Sequence, residues 1–378
     1  MNVKSLFILL LTTVLTFSTL YTPQPILPLL AQEFSVSGSE ISLLISLTLF
    51  PLGLMPIIYG YLIDNVSART ILHWFIGMLA VTELSLAFVS DFRIMLVFRL
   101  LQGLLLPAIF TAIVTYISNH SSADQRQKSI SSYIAATIIG GFAGRFLTGL
   151  ISDLSDWRVA FMVWTVGLFA AWTLLWLLKK DTPVQSSRLP IGGVWEMFRR
   201  PRHFRVYLTI FIVFFGFSSA LNALPFRIKE ISASASESLI ASAYLGYLMG
   251  VLVSFNAQRI STRLGSEVNS TILGISAFGL GVMMLSSTNL YVILLFCFYI
   301  LHRFFPYAFH IIRIRKPAYV FTTWCCKRAL YRFILRRRIF RLLFPTHHLP
   351  YLGMVCLFAD CNRLFFGRIS YYIWTVGN

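Results

Sequence analysis

Phe98-Arg99-Leu100-Leu101-Gln102-Gly103 places an arginine inside a long apolar run, where a guanidinium needs a partner or water. Counted from Arg93 at the outer start of that run, Arg99 is about six residues in, roughly 9 Å deep at the helical rise. It could snorkel to the outer interface, or it could face a water-filled substrate cavity. Glu83 and Arg145 lie at nearly the same level of two neighbouring apolar runs. A Glu83–Arg99 ion pair is therefore geometrically possible, either as a structural brace or as part of a proton relay. Arg145 is surrounded by Gly140, Gly141, Gly144 and Gly149, and Gly140 with Gly144 forms a small-xxx-small face. That face suits plain helix packing; it would also suit a pivot on which one bundle rocks against another.

The elements that must carry these residues are membrane-spanning helices. The chain is 57% hydrophobic and only 12% charged, with a mean hydropathy of +0.74. Lipid is the solvent such a composition requires. Apolar runs at 6–30, 41–63, 70–89, 94–117, 130–151, 159–178, 206–226, 239–255 and 268–285 are each near the length of a span, and a tenth begins near Leu290. They lack the alternation of barrel strands, so the fold class is all-α and polytopic. Lys4 precedes an apolar run, yet 19–23 offers no small-residue cleavage site, so the run reads as a retained first span.

With the N-terminus in the cytoplasm, thirteen Lys and Arg fall in cytoplasmic loops and four, Arg93, Arg158, Arg227 and Lys229, in the opposite ones. Basic loops resist translocation, which sets this orientation. The expected organisation is a six-helix bundle over 1–178, a basic cytoplasmic linker over 179–205, and a partial second bundle, spans seven to ten, over 206–301. Residues 60–67 and 258–265 echo one another after the second and eighth spans, as a parallel repeat would.

At these residues the chain resembles the major facilitator superfamily, in particular its bacterial proton-linked efflux transporters and their uncharacterised inner-membrane members. Arg99-Leu100-Leu101-Gln102-Gly103 fits the RxxQG signature of the fourth helix, whose arginine the family uses in the cavity and in proton transfer. Gly60-Tyr61-Leu62-Ile63-Asp64 and Arg69 fit the loop motif between helices two and three. Asn65, Ser67 and Ala68 depart from its usual basic, glycine and basic residues. Gly140 to Gly149 resembles the fifth-helix motif of antiporters, with Arg145 where proline is common. Asp156-Trp157-Arg158, 21–25 and 222–227 also look like sequences from this family. The resemblance implies a two-bundle, monomeric, inner-membrane transporter with no cofactor and no enzymatic activity, exchanging a drug, sugar or metabolite for protons by alternating access. It assigns Arg99, Gln102 and Gly103 to transport and proton coupling, to which the depth of Glu83 and Arg145 in their spans adds those two residues, and it assigns Gly60, Asp64 and Arg69 to gating. The aspartate at position 64 is expected to meet the start of an eleventh helix, where the helix dipole favours a carboxylate.

After Leu301 the span pattern stops. Residues 1–301 hold 19 Lys and Arg against 13 Asp and Glu, a net of +6, whereas 302–378 hold 13 against 1, a net of +12. Four of the five cysteines, Cys325, Cys326, Cys356 and Cys361, also lie in that tail. An out-of-frame segment accounts for the loss of span lengths, which makes a non-functional truncated or frameshifted product the alternative reading of the whole chain. A membrane scaffold with a lipid-binding tail is a third. Nucleic acid is not an expected partner, because basic residues beside a membrane more often meet anionic lipid. The pairs His347-His348 and Cys325-Cys326 lack metal-ligand spacing. Three glycosylation sequons, at Asn65, Asn119 and Asn269, fall on the cytoplasmic side and carry no inference.

Overall fold

The structure is a computed structural model in which residues 1–181, 201–246, 276, 279 and 287–294 are described. The apolar runs that are described close their own backbone hydrogen bonds as helices, since lipid offers none. Helix α1 (Val3–Tyr21) starts at the Asn2 side chain, which accepts from the Lys4 amide. It ends well short of residue 30, the expected limit of the first span. Pro23 and Pro25 supply no amide donors and disfavour helix in the residues before them. The chain turns there and restarts as α2 (Leu27–Glu33), with a proline in its first turn.

A capping box of Ser37 and Glu40 opens the short α3 (Gly38–Ile41), which leads into α4 (Leu43–Asn65). Helices α5 (Ala68–Phe88), α6 (Phe92–His120) and α8 (Trp157–Leu174) start on the side-chain caps of Ser67, Asp91 and Asp156. Between them α7 (Ala123–Leu154) begins earlier than its apolar run, because a polar first turn is helical where it extends beyond lipid. A 3-10 turn, Leu175–Leu177, finishes the sixth span. Among the described residues six helical segments are long and apolar enough to cross a membrane.

Of the second half, α9 (Pro201–Ile231) contains the expected seventh span, and α10 (Glu237–Ser242) with the 3-10 turn Ala243–Leu245 opens the eighth. Residues 182–200 of the linker, most of the eighth and ninth spans, most of the tenth and the whole 302–378 tail lie outside the described residues.

In the first bundle α1 packs chiefly on α7, α4 on α6, and α5 on both α6 and α8. Leu9, Leu72, Leu79, Ile109 and Ile113 form its interior, while Trp74, Met78, Val81, Ile94, Val97 and Val166 face outward as lipid requires. Small residues bring the helices close, as expected where apolar surface alone gives no preference for helix over lipid. A Cβ on Gly140 would stand 2.4 Å from the Val14 carbonyl oxygen, and one on Gly144 only 2.3 Å from that of Ser18. Both glycines therefore pack inside the first bundle, whereas Gly149 faces another neighbour. There a Cβ would stand 2.5 Å from that of Ala241 and 2.8 Å from the Glu237 carbonyl oxygen, in the second half. Around that contact Ile138 of α7 shares a buried cluster with Leu221, Leu224, Ile228, Ile240 and Tyr244.

Candidate functional site

Arg99 is fully buried at the crossing of α1, α4, α5 and α6. Its Nε donates to the Leu44 carbonyl (3.1 Å), Nη1 to that of Thr19 (3.1 Å) and Nη2 to that of Leu20 (2.9 Å). Thr19 and Leu20 lie in the last turn of α1, whose carbonyls lack intrahelical partners, whereas the Leu44 carbonyl in the first turn of α4 accepts from the guanidinium as well as from Thr48 Oγ1. Nη1 also donates to Gln102 Oε1 at 2.6 Å, and Gln102 Nε2 donates to Glu83 Oε2 at 2.6 Å. The expected Glu83–Arg99 pair is thus an amide-bridged relay. Arg99 and Gln102 are three residues apart on one helix face, and the amide is long enough to stand between the charges. The other carboxylate oxygen, Glu83 Oε1, is buried with no hydrogen-bond partner among the described residues.

Gly103 lets α4 reach this crossing: a Cβ there would stand 2.6 Å from the Thr48 carbonyl oxygen. Thr48 Oγ1 in turn donates to the Arg99 carbonyl at 3.0 Å, tying the two helices at the arginine itself. What this arrangement can do chemically is hold or release one proton at a carboxyl group whose charge is relayed, through one amide, to a guanidinium gripping two other helices, α1 and α4. A change of one unit of charge in a dry site has a large local effect.

The residues expected to act in gating stand elsewhere. Gly60 and Asp64 are helical in α4, and their side chains, with the expected eleventh helix, fall outside the described residues. Arg69, at the start of α5, donates from Nη2 to the Trp176 carbonyl at 2.9 Å. Asp181, just past the sixth span, accepts from the backbone amides of Ala68 (3.0 Å) and Arg69 (3.2 Å). Its carboxylate thereby satisfies the free donors and positive end of α5.

Arg145 has its own setting at the seam of the two halves. Its Nε donates to Gln24 Oε1 and its Nη1 to the Gly141 carbonyl, while the guanidinium carbon lies 3.7 Å over the Tyr21 ring and 5.4 Å from that of Tyr244. Gln24 Nε2 donates onward to Asn222 Oδ1 of α9. Tyr244 is buried and donates to the Leu221 carbonyl at 3.1 Å. Guanidinium–ring contacts of this kind contribute about 2 kcal/mol when desolvated.

Sequence reasoning placed Arg99, Glu83 and Arg145 at one level; the structure joins the first two through Gln102 and gives Arg145 separate partners. It missed Gln24, Asn222 and Asp181 as structural contacts. An amide between two prolines, and another inside an apolar run, were the available signals for the first two. Asp181 meets α5 from more than a hundred residues away and gave no local signal. No cluster of three His, Cys, Asp or Glu able to hold a metal ion occurs among the described residues.

The chain matches the sequence profile of the Major Facilitator Superfamily over residues 9–311. It is 28% identical over 261 residues to the inner membrane transport protein YnfM of Escherichia coli (strain K12), covering 66% of this chain and 61% of that relative. An uncharacterized transporter of Buchnera aphidicola subsp. Baizongia pistaciae is 26% identical over 262 residues, 68% of this chain and 65% of its own length. The chain thus spans less than two thirds of these curated relatives. Its fold matches the crystal structure of the peptide transporter POT in complex with sulfate at a TM-score of 0.74, with 12% identity, covering 98% of this chain and 94% of that one. The reading of the chain as a non-functional truncated product draws no support from these comparisons.

Proposed function

Because the chain belongs to the Major Facilitator Superfamily, an all-α, multi-pass family of membrane transporters rather than enzymes, we propose that it is a proton-coupled secondary exporter of a small molecule. The observation that carries the reading is the buried relay Glu83–Gln102–Arg99, with one carboxylate oxygen left over. Glu83 is the proton carrier, Gln102 the link, and Arg99 the group that converts a change of charge into altered grip on α1 and α4. Gly103 keeps α4 close enough to be gripped, and Arg145 with Gly149 contributes to the seam across which the halves rock. Gly60, Asp64 and Arg69 close the end that carries the linker, with Gly140 and Gly144 holding α7 rigidly on α1. Intramembrane carboxylates that can lose or gain a proton are the usual means of coupling transport to a proton gradient.

The excess of Lys and Arg on one set of loops supports a cytoplasmic N-terminus, and we assign the protein to the inner membrane as a monomer working without a cofactor. Under this orientation the end of the molecule at Tyr21 and Ile231 faces outward. In proteoliposomes with an imposed proton gradient, a panel of drugs, sugars and metabolites is screened for uphill movement. For the cargo so found, Glu83→Gln should abolish gradient-driven accumulation while leaving downhill exchange, because a neutral amide fixes the relay in one charge state. Undiminished uphill transport by Glu83→Gln would overturn the reading.

A further inference from the structure

We propose that Gln24 is the keystone of a clasp that holds the two halves together at the Tyr21 end, and that its two-sided hydrogen bonding sets how often that end opens. Gln24 sits in the turn after α1, fixed between Pro23 and Pro25, and is buried. Its carbonyl oxygen accepts from Arg145 of α7, in the first half, and its amide nitrogen donates to Asn222 of α9, in the second. One side chain therefore uses its oxygen to anchor on the first half and its nitrogen to cross the seam, and neither bond can be replaced by water while the seam is dry.

Several other described contacts between the halves lie at this same end, beyond the deeper cluster around Ile138. Gly149 meets Glu237 and Ala241 at the outer start of α10, and a Cβ on Gly38 would lie 3.3 Å from the Phe226 ring. The Arg145 guanidinium stacks on Tyr21 and reaches the Tyr244 ring of the second half. The apolar contacts can part and re-form without directional loss, whereas the Arg145–Gln24–Asn222 chain must break when the halves separate. Two prolines flank Gln24 and narrow its backbone freedom, so the amide is presented to both partners at low entropic cost.

The clasp rests on the alternating-access reading and is tested without knowledge of the cargo. In the full chain with its five cysteines replaced, spin labels are introduced at Gln32→Cys and Ala233→Cys, both exposed at this end and one in each half. Electron–electron distance distributions in nanodiscs then report the closed and open populations. Gln24→Ala and Asn222→Ala should each shift the ratio toward open by about five-fold, the worth of a typical hydrogen bond, and the double variant should shift it no further. Gln24→Glu should shift the ratio toward closed, since a carboxylate can accept from both Arg145 and a rotated Asn222 amide. That variant and Asn222→Ala decide the matter if Gln24→Ala does not fold. Both populations present in the unsubstituted chain but unmoved by every variant would overturn the clasp alone. A single short distance in all of them would overturn the clasp and alternating access together.

Discussion

Arg99 and Arg145 are both buried arginines in neighbouring helices, yet one is bolted into a single bundle and the other bridges two. All four described acceptors of Arg99 belong to spans one, two and four of the first half. Arg145 reaches, through Gln24, the second half as well. The difference teaches that burial alone does not tell what a membrane arginine does. Carbonyls of α1 and α4 gathered on its guanidinium make Arg99 a brace within the first bundle. Partners drawn from both halves make Arg145 part of a joint, one that comes apart in the proposed alternating access.

Removing the brace should have the largest effect. Arg99→Leu leaves Glu83 buried without the charge relayed to it and frees three backbone acceptors, a loss of about 3–5 kcal/mol as for other broken buried pairs. The detergent-solubilised protein should melt far lower than the parent, and an unchanged melting temperature would erase the distinction between the two arginines. Next comes Gly144→Ala, whose methyl would press on the Ser18 backbone at 2.3 Å. Overpacking of this kind costs about 1–3 kcal/mol, read as a lowered melting temperature of the first bundle. Gly149→Ala sharpens the contrast, because its methyl meets the second half instead. It should favour separation of the halves in the distance measurement while lowering the melting temperature less than Gly144→Ala does. The smallest effect belongs to Asp181→Ala, which removes a cap from α5 and should cost about 1 kcal/mol, seen as faster amide exchange at Ala68 and Arg69.

How much of this was legible beforehand follows the kind of force involved. The first six spans stand out in the sequence because lipid imposes length and hydropathy on every one of them. The charged residues Glu83, Arg99 and Arg145 stand out for the same reason, since each is an exception lipid tolerates only with a partner. The partner itself is a matter of reach. Gln102 can stand between Arg99 and Glu83 only because of side-chain lengths and rotamers on two helices whose separation no spacing in the chain encodes. Gln24 was hidden by an expectation of continuous helix to residue 30, which two prolines overrule. Gly140 and Gly149 look alike in the sequence, nine residues apart, and face different neighbours because α7 is long enough to line both α1 and the seam.

The central claim is that Glu83 takes up and releases a proton inside the first bundle. Infrared difference spectroscopy of the protein in lipid, titrated across its working pH, observes that carboxyl group directly. A protonated-carboxyl carbonyl band should appear as the pH is lowered, be lost in Glu83→Gln, and change frequency when Gln102 is replaced by Leu. The same band persisting in Glu83→Gln, or no titrating carboxyl band in the parent, would contradict it.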